Sequence, residues 1–175
     1  MADYYTNESA WILPRGYYDP YNNLQGDEGY NCPVHFYSGY SAMSQANSVS
    51  NYVITYQTRV HFMHKYLASI PNCSWLGTAH ADELNFLFGL PFKLRNHFNH
   101  LDRAFALRLL ELWTYFAKNG RMPKQSNGKE WPTSNERTPA PRYVEISNKY
   151  VREWKFEFED RCESFFRPLL PRYKR

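Results

Sequence analysis

Apolar residues recur at helical spacing most clearly between Asn99 and Asn119, where Leu101, Phe105, Leu109, Leu112 and Phe116 fall on one stripe. Asn99 offers a capping side chain, Asp102 stands at the third position and Asn119-Gly120 provides a left-handed exit, so a helix is expected over 99–119. The pattern predicts a second amphipathic helix over Tyr150–Arg167, with Val151, Trp154, Phe158, Cys162 and Phe165 on one face and Pro168 at its end. Pro33 suits the first position of a third helix, Val34–Ala46. Tyr52–Tyr66 is rich in β-branched and aromatic residues. Within it Arg59–Tyr66 is the better strand, with Val60 and Phe62 on one face, and Tyr143–Ser147 is a further short strand. Residues 1–33 read as irregular, punctuated by Pro14, Gly16, Pro20, Gly26, Gly29 and Pro33. So long a loop is odd at the start of an independent domain and makes more sense draped over a larger body.

One stretch carries candidate chemistry, Trp75–Phe92. His80 follows the small residues Gly77, Thr78 and Ala79, and two acids, Asp82 and Glu83, come directly after it. An apolar run, Leu84–Phe88, then closes on Gly89 and Pro91. This spells a loop holding an imidazole at the start of a short helix, whose first turn favours negative charge. On these residues alone, an exposed loop histidine beside solvated acids is the commoner reading and a functional base the rarer one. His61 and His64 are three apart; on a strand they point to opposite faces, so no metal site is expected.

Composition narrows the classes. The 175 residues have the length of one ordinary domain, and 18% are aromatic. The net charge is +4, but bases are interspersed with acids. The only basic cluster is Arg172, Lys174 and Arg175, which reads as a solvated tail and not as a nucleic-acid footprint. No apolar run is long enough to cross a bilayer, and Met1–Tyr5 lacks a signal-peptide pattern. Two glycosylation triplets, at Asn7 and Asn72, nevertheless point to an extracellular glycoprotein. Three cysteines leave one over if a disulfide forms. Cys73 lies seven residues before His80, but nothing else is similar to a cysteine hydrolase.

Trp75, Gly77, His80, Glu83, Phe88, Gly89 and Pro91 fall on a Trp-x-Gly-x-x-His-x-x-Glu pattern running into Phe-Gly-x-Pro. That pattern resembles the histidine-bearing segment of the type B carboxylesterase and cholinesterase family. Gly26-Asp27 ahead of Cys32-Pro33, the helix end Trp113-Thr114-Tyr115-Phe116-Ala117 with Gly120, and Trp131-Pro132 are also similar to that family. The resemblance implies an α/β fold, with residues 1–175 the C-terminal part of a single α/β-hydrolase domain, made of late sheet strands and packing helices. It implies that His80 is the general base of a Ser-His-Glu triad, with Asp82, Glu83 and Trp75 supporting the loop or lining the pocket. It pairs Cys32 with Cys162. No cofactor or metal is implied; the substrate would be a choline ester or another carboxylic ester, and a homodimer through the C-terminal helix is an expected partner.

The triad's other members are expected upstream. No Gly-x-Ser-x-Gly elbow occurs in the 175 residues; Gly39-Tyr40-Ser41-Ala42-Met43 lacks the second glycine and falls inside an expected helix. The chain alone is therefore expected to be inactive, and to fold poorly without neighbouring strands, as part of a secreted or cell-surface serine esterase. Cholinesterases carry an aromatic residue where this chain has Asp82 and a tryptophan where it has Asn72, which bears on choline specificity. The alternative class is a non-catalytic, neuroligin-like adhesion protein, which His80 argues against. A functional short product from an alternative start is a third.

Overall fold

A computed structural model of the chain describes residues 18–44, 48–62 and 77–170. Asn7, His64, Asn72, Cys73, Trp75 and the basic cluster at 172–175 lie outside them. The chain forms two compact units: Met1–Val49 with Thr133–Arg142 and Lys155–Arg175, and Ser50–Pro132 with Tyr143–Trp154.

In the first unit the described chain opens helically. Helix α1 spans Tyr18–Gly26, a π-helical turn Asp27–Asn31 follows, and α2 covers Cys32–Ala42. The expectation of an irregular segment up to residue 33 is thus corrected for residues 18–31. Pro20 falls in the first turn of α1, where its missing N–H leaves no intrahelical bond unmade. Buried Asp27 holds the turn by accepting from Asn31 Nδ2 at 2.8 Å and from Arg161 Nε at 2.6 Å. Helix α2 starts earlier than Val34, with Pro33 in its first turn, and ends at Ala42, ahead of the expected Ala46.

The second unit contains the sheet. Strand β1, Asn51–Ile54, runs parallel to β2, Tyr143–Ile146, and β2 runs antiparallel to β3, Val151–Trp154. Short helices α3, Asp82–Leu87, and α4, Leu90–Lys93, precede the long α5, His100–Asn119. Tyr56, Phe86, Phe105, Ala106, Leu109, Leu112, Val144, Ile146 and Val151 belong to one buried core, with Trp131. Tyr56 stacks on Phe105 at 4.2 Å between centroids, and Phe86 meets both rings edge-on at 5.4 and 5.0 Å. Such pairs each add about 0.5–1.5 kcal/mol beyond area burial.

Two further sequence expectations fail, the second of them in chain that runs on from this unit into the first. The strand is Asn51–Ile54, and Arg59–Phe62 is not strand; the remainder of Arg59–Tyr66 lies outside the described residues. The reason is where its backbone groups go. Val60 N donates to Thr58 Oγ1, Val60 O accepts from Asn85 Nδ2, and Phe62 N donates to Asp82 Oδ1, so side chains claim what a neighbouring strand would need. The expected helix over Tyr150–Arg167 begins as β3 and becomes helical only at Glu157 (α6, Glu157–Arg161), then continues as a π turn to Phe166 and a short 3₁₀ segment. Ser126 Oγ accepts from Val151 N and Gln125 Oε1 from Glu153 N, which covers the edge of β3 away from β2.

Back in the first unit, Cys32 and Cys162 form a disulfide with Cα atoms 5.2 Å apart. Arg161, one residue earlier, makes the buried ion pair with Asp27, and Glu163, one residue later, accepts from Nε2 of buried His35 at 2.8 Å. Arg167 pairs with Glu163 and lies 4.8 Å over the ring of Phe36.

Candidate active-site histidine loop

The loop Gly77–Ala81 is shaped by two left-handed residues. Gly77 adopts φ 69°, which glycine takes at no steric cost, and Ala81, the one described non-glycine residue in this region, also has φ 69°. His80 sits just before Ala81 with its side chain exposed. Directly after Ala81 the chain enters α3, with Asp82 and Glu83 in the first turn; Gly89, at φ 71°, separates α3 from α4.

Asp82 is almost fully buried, at 1% exposure, and its carboxylate is taken up by three donors. His61 Nδ1 donates to Oδ2 at 2.8 Å, Ala79 N donates to the same oxygen at 2.9 Å, and Phe62 N donates to Oδ1 at 2.8 Å. Thr78 Oγ1 adds a longer bond, 3.4 Å, to the carbonyl of Tyr56. The loop is therefore tied to the segment that follows β1, and that segment is rooted in the aromatic core through Tyr56.

Glu83 is half-buried and close enough to Tyr52 for its charge to act on it. The Tyr52 phenol is raised above its ordinary pKa by burial first and by the Glu83 carboxylate second, and its ring meets Trp113 edge-on at 4.8 Å. The structure thus brings Asp82 to the base of the histidine loop and Glu83 to the side chain of a strand residue. Trp75 falls outside the described residues.

Sequence reasoning missed His61 as a partner of Asp82, because the two are 21 residues apart and carry no shared local pattern. The strand expected over Arg59–Tyr66 puts His61 and His64 on opposite faces; the structure shows His61 off the strands, at 3% exposure. Among the described residues, no group of three or more His, Cys, Asp or Glu side chains is arranged to hold a metal ion. Nor, among them, is any helix long and apolar enough to cross a membrane. A cleft of about 520 Å³ lies within the first unit, walled by Phe36, Tyr40, Met43, Pro139 and Pro141. Two ion pairs line it, Lys155 with Asp160 at 2.8 Å and Arg167 with Glu163, and Glu159 accepts from Phe156 N at 2.6 Å.

A histidine on a loop that leads into a helix, beside a mixed sheet and packing helices, fits an α/β-hydrolase. Residues 1–165 match the sequence model of the carboxylesterase family, and the chain belongs to that family. Its fold class is accordingly α/β, of the α/β-hydrolase type. Cholinesterase of Mus musculus is 24% identical over 172 residues, which is 97% of this chain and 26% of that protein. Acetylcholinesterase 4 of Caenorhabditis briggsae is 26% identical over 107 residues, 59% of this chain and 18% of its own length. Acetylcholinesterase-1 of Trittame loki is 28% identical over 96 residues, or 55% and 16%. The chain spans about a quarter of the mouse protein's length and less of the other two.

Proposed function

We propose that this chain is the histidine-bearing, C-terminal part of a serine ester hydrolase and that His80 is its general base. The observation that carries the reading is an exposed imidazole on a loop whose flanking backbone is tied to buried groups, in a chain that belongs to the carboxylesterase family. A base must reach its proton at hydrogen-bond distance in a reproducible orientation, and such a loop supplies both exposure and constraint.

The chemistry proposed is that of a serine triad, whose nucleophile these 175 residues do not carry as a Gly-x-Ser-x-Gly elbow. A serine supplied from elsewhere in the protein attacks the carbonyl carbon of a carboxylic ester while His80 accepts its proton. The tetrahedral intermediate collapses as His80 returns that proton to the leaving alcohol. Water then repeats the sequence on the acyl-enzyme, with His80 again as base. Asp82 is not the acid that orients His80, because its carboxylate is occupied by His61, Phe62 and Ala79; that acid would also come from outside these residues.

Choline esters are one substrate class and general carboxylic esters another. The similarity to cholinesterases favours the first, while Asp82, where cholinesterases carry an aromatic residue, favours the second. The disulfide supports an extracellular setting, since such bridges persist where the medium is oxidising. Exposed Leu169 and Leu170 at the end of the last helical segment support a homodimer through this region.

The test is to sequence the transcript 5′ of Met1 from source RNA and then to assay the protein it encodes. A reading frame that continues into Gly-x-Ser-x-Gly, with turnover of an ester lost in His80→Ala, supports the proposal. A frame that continues with the serine replaced moves the chain to the non-catalytic adhesion class. An in-frame stop just before Met1 overturns the catalytic role.

A further inference from the structure

We infer that His61 and Asp82 are positioning residues for His80: the buried pair fixes the loop Gly77–Ala81, and with it the direction in which the imidazole is presented. The inference rests on the reading of His80 as the general base and deepens it.

Both side chains are withdrawn from solvent, His61 at 3% and Asp82 at 1% exposure, so the pair has no access to substrate of its own. A buried carboxylate is tolerated only when its oxygens are met by donors, and Asp82 meets three. Those donors belong to two separate pieces of chain. Ala79 N precedes His80 directly, whereas His61 Nδ1 and Phe62 N belong to the segment after β1. Asp82 therefore staples the histidine loop to that segment.

His61 decides how the staple is oriented. Its Nδ1–H and the Ala79 amide converge on the same oxygen, Oδ2, while Phe62 N takes Oδ1. Without the imidazole donor, the carboxylate could rotate about its own bond and release Ala79. The far side of the staple is itself anchored, because Val60 O accepts from Asn85 Nδ2 in α3 and Tyr56 is stacked in the core. His80 is bracketed by a hydrogen-bonded Ala79 on one side and a left-handed, buried Ala81 on the other. Little backbone freedom is left for the residue between them. For a general base this matters, since a displacement of about 1 Å at a reacting group can lower the rate by about 100-fold.

The experiment uses the protein as its source encodes it, including whatever sequence precedes Met1, with p-nitrophenyl acetate as the ester probe. Four variants are compared: His80→Ala, Asp82→Ala, His61→Phe and His61→Asn. Asparagine places a donor near the position of Nδ1, whereas phenylalanine fills the space without one. Two readouts are taken, kcat against KM, and the hydrogen-exchange rate of the Ala79 amide.

The expected result is a fall of about 10- to 100-fold in kcat for Asp82→Ala and His61→Phe, with KM changed less than about threefold. Ala79 exchange accelerates at least about tenfold in the same two variants, and His61→Asn stays near wild type in both readouts. Unchanged Ala79 exchange overturns the staple. Faster exchange with unchanged kcat in an active protein overturns the positioning role and leaves the pair purely structural. If His80→Ala retains turnover, or the wild-type protein has none, it is the reading of His80 as base that fails. Exchange at Ala79, with rescue by His61→Asn, then decides alone whether the pair holds the loop.

Discussion

Tyr56 carries its hydroxyl proton into the core, where it donates to Asp102 Oδ1 at 2.7 Å. Burial, then the bond to Asp102, then that residue's charge push the phenol well above its ordinary range. Because the folded pKa exceeds the unfolded value near 10, the folded state keeps a proton that the unfolded chain releases at alkaline pH. The stabilisation is therefore complete below about pH 10 and is lost as pH rises from there toward the folded pKa. Tyr56→Phe removes one donor from a buried carboxylate and should cost about 1–2 kcal/mol at neutral pH. Denaturant unfolding of both proteins from pH 8 to 11 should show a constant difference at first and a shrinking one above pH 10. A difference that grows with pH would contradict the assignment. Ala81 offers a second test at this scale. A β-branched side chain in the left-handed region is strained, and this position is buried, so Ala81→Val should lose about 2 kcal/mol or more, whereas Ala81→Gly should stay within about 1 kcal/mol of wild type in the same unfolding assay.

Helix α5 shows what local chemistry can specify by itself. Asn99 Oδ1 accepts from the amides of Leu101 and Asp102, Asp102 Oδ2 accepts from Asn99 N, and Gly120 leaves the helix at φ 64°. Asn99→Ala should cost about 1 kcal/mol and Gly120→Ala a similar amount, read as lowered thermal midpoints; no loss at Asn99 would mean that the box is dispensable. Caps and exits lie within a few residues of each other, which is why this helix and the turn into α3 were legible in the sequence. The apolar stripe was legible only in its middle. Phe105, Leu109 and Leu112 are buried, but Leu101 and Phe116 are 46% and 48% exposed, since solvent accessibility at helix ends depends on neighbours that periodicity cannot report. The strands were harder still. Val151 and Trp154 match a helical repeat with Phe158 and Cys162, yet the backbone of 151–154 is claimed by β2 and by Gln125 and Ser126. Those partners are distant in sequence and leave no local mark. The same holds for the histidine loop. Gly77, His80 and the acids could be read directly, whereas the bond that gives Asp82 its place comes from His61 and could not.

At the scale of the whole chain, the Cys32–Cys162 bridge joins residues 130 apart in sequence. All of the second unit's chain, Ser50–Pro132 and Tyr143–Trp154, runs between the two cysteines. Closing so long a loop removes a large number of open conformations from the unfolded chain, which amounts to about 5 kcal/mol in the chain-entropy account. Stability of a domain this size is typically about 5–15 kcal/mol, so the bridge is a large share of it. Next to it, Arg161 neutralises Asp27 inside the first unit, at 19% and 0% side-chain exposure. Taking the guanidinium away leaves a buried carboxylate without its cation, which typically costs about 3–5 kcal/mol. The two ties act differently. The disulfide works mainly on the unfolded chain, so the Cys32→Ala/Cys162→Ala double variant and reduced wild type should unfold at the same, lower denaturant concentration. Arg161→Leu works on the folded state and should destabilise both the oxidised and the reduced protein. Because Arg161 and Cys162 are adjacent, combining the changes should depart from additivity, and a double-mutant cycle read by denaturant unfolding measures by how much. If reduction leaves the midpoint of the wild-type protein unmoved, the bridge contributes nothing to stability, and the ion pair with its Asn31 bond must hold these helices together without it.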